Sequence, residues 1–574
     1  MFKKETRTLF VILNRKNLKS NFFVKEKDVF TLNKFVLNNF EREKITHFYP
    51  DPNKTSFESK FLFQKAIDAK NEFFKKITKI NYFKNINYIE ELLENFLESK
   101  LTIYFYLENV IPEYNEYILI NNRKYYHYKS KVELIRNIEN LSGNKGKIHY
   151  LHHKFSKSNN PLINIILMKI QSKIIKFLFD SKSKELYLFS DKKSHFFNYL
   201  KSKFFKKNNI IISYHPTSNY IRILQIILVQ IYKFIFDKNF REFSFFLLPT
   251  TNKKFLKENY LKKDLKINSL KKDLSIKILK EIYSYVYNYN FFKIYIEDCF
   301  KNHKIKESFF HSVRYPDLFS LSNVLSDLKN DVFLISHGSH TKQKRGGIDF
   351  IVSKNIALGL AYSSNKNIKS LSQSIYCDEF LDSINRKYKR INYVISKKTI
   401  KAKNNINIIK KNNLKTKILL VGSIKALGAR RYCYESSPEF IASVYTIYDK
   451  LLKFKDRFEI LLTIRNIDNE INSQILNNAF ISLNSLINIK KDIILKKEID
   501  NCDCIISYSS TVLEEGLQRN KPVMCFGLPE YNHFKSYEKI SSSNLSNDLK
   551  IIEKNLKRRF ILNQNIKREI DFEF

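Results

Sequence analysis

Residues 503–528 read DCIISYSSTVLEEGLQRNKPVMCFGL. Cys504–Tyr508 is an apolar run of strand length, followed by three hydroxyl residues, Ser509-Ser510-Thr511. VLEEGLQ then has helical character, and Pro522–Phe526 is a second apolar run that stops at Gly527. Two strands with a helix between them make a βαβ unit, because parallel strands need a long crossover. The rhythm extends back through Phe458–Ile464 and Lys417–Val421. Before residue 411, strand-like runs again alternate with helical stretches: Ile148–Leu151, Leu186–Phe189, Ile210–Tyr214, Val332–Ser336, Ala357–Tyr362 and Tyr393–Ile395. This recurrence predicts an α/β chain with two Rossmann-like domains facing a cleft, over 141–410 and 411–574. Residues 1–140 read as an accessory α+β region. Its expected strands are Leu9–Leu13, Thr102–Leu107 and Tyr117–Ile120, and Ile89–Leu101 has a helical pattern.

The 574 residues are 43% hydrophobic and 28% charged, a globular balance that excludes a disordered tail, a collagen-like fibre and a disulfide-stapled mini-protein. The net charge of +44 invites a nucleic-acid or anionic-membrane reading. Lys, Asn, Ile, Phe and Tyr abound throughout, Gly and Pro number ten each and Trp is absent, so codon bias accounts for most of that charge. The lysines are spread along the chain, and no RNA- or DNA-binding signature stands out, so no nucleic-acid partner is expected. Six cysteines form no CxxC pair and no zinc spacing, so buried free thiols are expected.

The apolar stretch near Met1 is too short for a signal peptide, and no uncharged apolar run reaches about 18 residues. The expected location is therefore the cytoplasm. Leu162–Phe179 and Ile221–Phe236 are apolar at helical spacing, interrupted by Lys169, Lys173, Lys176, Arg222 and Lys233. The preferred reading is buried helices packed on a sheet. The alternative is a peripheral contact with an anionic membrane.

Eight of the ten glycines lie between Gly338 and Gly527, where a backbone that approaches a ligand or needs positive φ would use them. Ligands of parallel sheets bind beyond the carboxyl ends of strands. Four candidate strands end that way. Val332–Ser336 runs into His337-Gly338-Ser339-His340, and Lys417–Val421 into Gly422-Ser423. Cys504–Tyr508 runs into Ser509-Ser510-Thr511, and Pro522–Phe526 into Gly527. A helix N-terminus after hydroxyl residues suits a phosphate, while Thr511 with Glu514 three residues on also fits a capping box. The basic loop GSIKALGARRYCYESSPEF (422–440) carries Arg430, and Arg465 follows the run Phe458–Ile464. Both are candidate cations for an anion site. Tyr214-His215-Pro216 is a weaker candidate for lining the cleft.

The 503–528 segment, with Ser336-His337-Gly338, resembles GT-B-fold glycosyltransferases that build bacterial capsule and lipopolysaccharide, and the related CDP-glycerol-type polyol phosphotransferases. The resemblance covers about 330–535. It implies that Ser509, Ser510 and Thr511 hold donor phosphates and that Glu514 or Glu515 reaches a sugar or ribose hydroxyl. His337 would be the general base or a phosphate contact, with Gly338, His340 and Gly527 lining the cleft. The implied reaction moves a sugar from a nucleotide-activated donor to a surface glycan or lipid-linked acceptor. The donor is a co-substrate, and no cofactor or metal is expected: Asp349 and Asp378-Glu379 do not follow a convincing strand as a metal-holding Asp-x-Asp would. A CDP-alditol transferase is the enzyme alternative. A basic nucleic-acid or membrane-surface binding protein is the alternative of another class.

Overall fold

The computed structural model describes residues 7–14, 28–31, 47–48, 55–77, 90–121, 124–143, 161–180, 185–190, 209–215, 220–237, 241–248, 272–300, 305–336, 350–351, 354, 357–372, 375–390, 415–423, 458–465, 487–489, 495–507, 512, 516, 521, 523–526 and 539–540. They belong to two compact units, one of Met1–Ile67, Glu98–Gly146 and Val394–Glu569, the other of Asp68–Leu97, Lys147–Tyr393 and Ile570–Phe574.

The first unit holds two sheets. Strands β1 (Thr8–Asn14), β2 (Asp28–Thr31), β3 (His47–Phe48), β4 (Glu116–Asn121) and β5 (Lys124–Tyr128) lie in the order β3-β2-β1-β4-β5. All neighbours are parallel except β4 and β5. Helices α1 (Thr55–Ile77) and α2 (Glu90–Val110) have residues in each of the two units, while α3 (Lys131–Gly143) belongs to this one. The expected strand Thr102–Leu107 is a correction, because it lies inside α2. Residues 101–107 are all buried, so this stretch of the helix shows no polar face, and its β-branched and aromatic composition imitates a strand.

The second unit carries α4 (Pro161–Asp180), α5 (Tyr220–Phe236), α6 (Lys272–Phe300), α7 (Pro316–Asp327) and α8 (Ile375–Ser383). Its strands are β6 (Leu186–Phe189), β7 (Ile210–Tyr214), β8 (Glu242–Phe245), β9 (Ile305–Phe310), β10 (Asp331–Ile335), β11 (Lys369–Ser372) and β12 (Tyr388–Arg390). They form one parallel sheet in the order β12-β11-β10-β9-β6-β7-β8. Chain order runs outward from β6 on one side and from β9 on the other, a doubly wound arrangement whose switch point lies between them. β6 and β7 are buried at every position, as strands covered on both faces must be. The rings of Phe189, Phe309 and Phe333 stack across β6, β9 and β10 at 5.2 and 5.4 Å.

Two further expectations are corrected here. Ala357–Tyr362 is a turn closed by one bridge between Leu358 and Tyr362. Its Gly359 has φ +72°, and a Cβ there would stand 2.7 Å from Arg314 Cγ, so only glycine fits. The helices α4 and α5 match the expected stretches, but neither is buried all round: each packs one stripe on the core and exposes apolar side chains on the other side. Ile148–Leu151 and Tyr393–Ile395 lie outside the described residues.

The first unit's second sheet is built from β13 (Thr416–Ser423), β14 (Phe458–Arg465), β15 (Ile487–Ile489), β16 (Cys504–Ser507), β17 (Val523–Phe526) and β18 (Lys539–Ile540), with α9 (Leu495–Asn501) before β16. All neighbours are parallel, in the order β15-β14-β13-β16-β17-β18. This is again doubly wound, with its switch point between β13 and β16. The two doubly wound sheets make the chain α/β with two Rossmann-like folds.

Candidate functional site

Because every strand of the six-stranded sheet runs the same way, all carboxyl ends share one edge. Val421 pairs with Ser507, Gly422 with Ile464, and Ser423 with Arg465. β13 and β16 therefore end side by side at the switch point, the place where a doubly wound sheet takes its ligand. Ser507 is fully buried, and its hydroxyl donates to the Val421 carbonyl at 2.9 Å. This bond ties the two strands together at their last paired rung. Gly422 and Arg465 are described as the ends of β13 and β14, so the structure brings their backbones to one edge. Arg430, Ser509, Ser510, Thr511, Glu514, Glu515 and Gly527 lie outside the described residues. So do His337, Gly338 and His340. In sequence Ser509 stands two residues past the end of β16, and Gly527 directly follows β17.

The opposite end of the same sheet is tied by polar contacts. Lys521 donates through Nζ to the carbonyls of Asp500 and Cys502, at 2.9 and 2.6 Å, and so caps the end of α9. Asp503 Oδ2 accepts the Lys417 N–H at 2.8 Å. Cys502 and Cys504 are buried free thiols, as expected. Burial pushes the Cys502 thiol up to about 12 and raises that of Cys504 well above its ordinary value, which makes both inert.

The seven-stranded sheet has a second constellation at its own switch point. Ser190 directly follows β6 and His311 directly follows β9. Ser190 Oγ stands 3.0 Å from His311 Nδ1 and accepts the His311 backbone N–H at 3.1 Å. Ser190 N–H continues the ladder by donating to the Phe309 carbonyl at 2.9 Å. The serine is buried and the imidazole half-exposed, so the ring is held through Nδ1 at the end of β9. Close by, Arg314 Nε donates to the Leu358 carbonyl at 2.9 Å, and Val313 N–H to the Gly359 carbonyl at 2.8 Å, which docks the Gly359 turn beside the end of β9.

Sequence reasoning missed Ser190 and His311. The signal was present, since both directly follow phenylalanine at the end of an apolar run. For His311 it was masked because Lys306 and Glu307 break the β9 pattern. β10, whose Leu334 pairs with Phe310 of β9, ends one residue before Ser336, which His337 follows in sequence.

Tyr214, named as a weaker cleft candidate, has a packing role. It is buried, and its hydroxyl donates to Asp317 Oδ2 in the first turn of α7. Burial raises the Asp317 carboxyl above the usual range, against the bonds it accepts from Tyr214 and the Leu318 N–H. His215 N–H donates to the Phe245 carbonyl at 2.6 Å. Asp378 is buried in an ion pair with Arg390, which joins α8 to β12. Among the described residues, no three His, Cys, Asp or Glu side chains cluster as a metal centre requires.

No family model and no curated protein matches the chain. Solved structures do. One is UDP-GlcNAc 2-epimerase from Neisseria meningitidis bound to UDP-GlcNAc, at 12% identity and a TM-score of 0.35 over 65% of this chain and 91% of that one. A glycosyltransferase from Rickettsia africae ESF-5 aligns at 14% identity and a TM-score of 0.34 over 67% and 90%. The ADP-heptose lipopolysaccharide heptosyltransferase II of E. coli aligns at 10% identity and a TM-score of 0.25 over 65% and 98%. None of these likenesses carries weight for what the chain does.

Proposed function

We propose that the chain is a glycosyltransferase that uses a nucleotide-activated sugar and acts on a bacterial surface glycan or a lipid-linked acceptor. One observation carries the reading: the strand order of the six-stranded sheet reverses between β13 and β16, the two strands that lead into Gly422-Ser423 and Ser509-Ser510-Thr511. A doubly wound sheet binds its ligand at that reversal. Hydroxyls and N–H groups at a helix start suit a diphosphate, and Arg430 and Arg465 supply compensating charge.

The acceptor hydroxyl attacks the anomeric carbon, the bond from that carbon to the phosphate oxygen breaks, and the nucleotide departs with the bonding pair. A base takes the hydroxyl proton. His337 is the first candidate, and the Ser190-held His311 is the second. Glu514 or Glu515 holds a donor hydroxyl. Gly338, His340 and Gly527 line the site.

The test measures nucleotide binding by calorimetry and turnover with a panel of donors. Ser510→Ala with Arg430→Ala weakens nucleotide binding by roughly tenfold or more, while His337→Ala lowers turnover about 100-fold or more and spares binding. Unchanged nucleotide affinity in the Ser510/Arg430 variant overturns the assignment. Turnover with CDP-glycerol and with no nucleotide sugar replaces it by a polyol-phosphate transfer.

A further inference from the structure

The face formed by α4 and α5 has no role in the proposed reaction and departs from the behaviour of a soluble surface. Twelve of the sixteen large apolar side chains that stand exposed among the described residues lie on these two helices. The helices are neighbours: the rings of Phe177 and Phe234 meet edge-on at 5.9 Å. On α4, Leu167, Met168 and Ile175 enter the core, while Leu162, Ile166, Ile170 and Phe177 are 40–65% exposed. On α5, Ile223 and Ile227 are buried in the core, while Leu228, Tyr232 and Phe236 are 64–69% exposed.

The exposed face is built in and does not result from loose packing. Gln171 of α4 donates to the Phe246 carbonyl and accepts the Phe246 N–H, at 3.0 and 3.2 Å, and also bonds Tyr295 of α6 at 2.8 Å. Ser172 and Lys176 both bond Asp298 of α6, at 2.7 and 2.6 Å. These bonds fix which side of α4 faces inward.

We propose that the α4–α5 face docks on an anionic lipid surface. Charge selects this occupant. Lys169, Lys173, Arg222 and Lys233 are exposed among the apolar side chains. The only acid on either helix is Asp180, the last residue of α4, and Asp237 lies just past α5. A second copy brought face to face through this surface would set cations against cations without acids to match them. Lipid phosphates match them, while acyl chains take the leucine and aromatic side chains. Neither helix is long and apolar enough to cross a bilayer, so both lie along the interface.

Sedimentation of the full chain with vesicles tests this, with no donor or acceptor present, so the outcome is independent of the proposed reaction. The chain sediments with phosphatidylcholine vesicles containing about a third phosphatidylglycerol, and about tenfold less with phosphatidylcholine alone. Leu228→Glu with Tyr232→Glu reduces binding about tenfold or more, with an unchanged circular-dichroism spectrum. Lys169→Glu with Lys173→Glu removes the preference for anionic vesicles. Failure of the wild type to sediment with anionic vesicles overturns the proposal. So does retained binding and preference in both folded double variants. A dimer that Leu228→Glu dissociates, without vesicle binding, assigns the face to a second copy instead.

Discussion

Glu307 occupies β9 opposite Asp331 of β10, and its Oε2 is buried with no hydrogen-bond partner among the described residues. Burial first, and then the Asp331 charge, raise its carboxyl from an ordinary 4.5 to about 7, against Lys306 and Lys389. The folded state therefore holds this proton more tightly than the unfolded chain does. The stability it contributes is complete below about pH 4.5, declines between there and pH 7, and is absent above. Glu307→Gln removes that dependence: at about pH 8 the variant is more stable than the wild type by on the order of 1–3 kcal/mol, and near pH 4 the two are alike. Melting curves at the two pH values check this, and a variant less stable at the higher pH contradicts it. At the same scale, Cys502 and Cys504 were legible from sequence as buried thiols, because alternate residues at the start of an apolar run are buried together. The Ser190–His311 pair was not legible, because two residues 121 positions apart meet only when β6 and β9 pair.

Helices reveal their period but not their surroundings. The extents of α4 and α5 followed from sequence nearly to the residue, yet which side of each is covered depends on the elements packed beneath. Gln171 shows how little of α4 decides this. Its amide completes two backbone bonds beyond the end of β8, an edge strand of its sheet among the described residues. Gln171→Ala removes the partner of the Phe246 N–H and carbonyl and one of the bonds of the Tyr295 hydroxyl, and costs on the order of 2–3 kcal/mol, read as a lowered urea midpoint. A midpoint equal to the wild type's contradicts the anchoring role. The α2 segment Thr102–Leu107 failed for the converse reason: a helical stretch buried all round, as residues 101–107 are, offers no polar face to set its period, and β-branched and aromatic residues then read as strand.

Over the whole molecule, the net charge of +44 is spread along the chain and acts against compaction. Raising sodium chloride from about 50 to about 300 mM is expected to raise the melting temperature, because the added ions screen that repulsion. A falling melting temperature shows that ion pairs outweigh it. The α/β alternation and most central strands were determined by sequence, since strands covered on both faces must be short, continuous and apolar. The edge strands β5 and β12 were hidden because polar residues are tolerated where an edge meets water, and the central β9 was hidden because Lys306 and the buried Glu307 interrupt its apolar run. Where the sequence passes from Ser507 to the hydroxyl triplet, it predicts a phosphate site. That this segment leaves a strand adjacent to β13, at the point where the winding reverses, was decided only by tertiary pairing. Strand order is a relation between segments separated by whole crossovers, and no local pattern of residues encodes it.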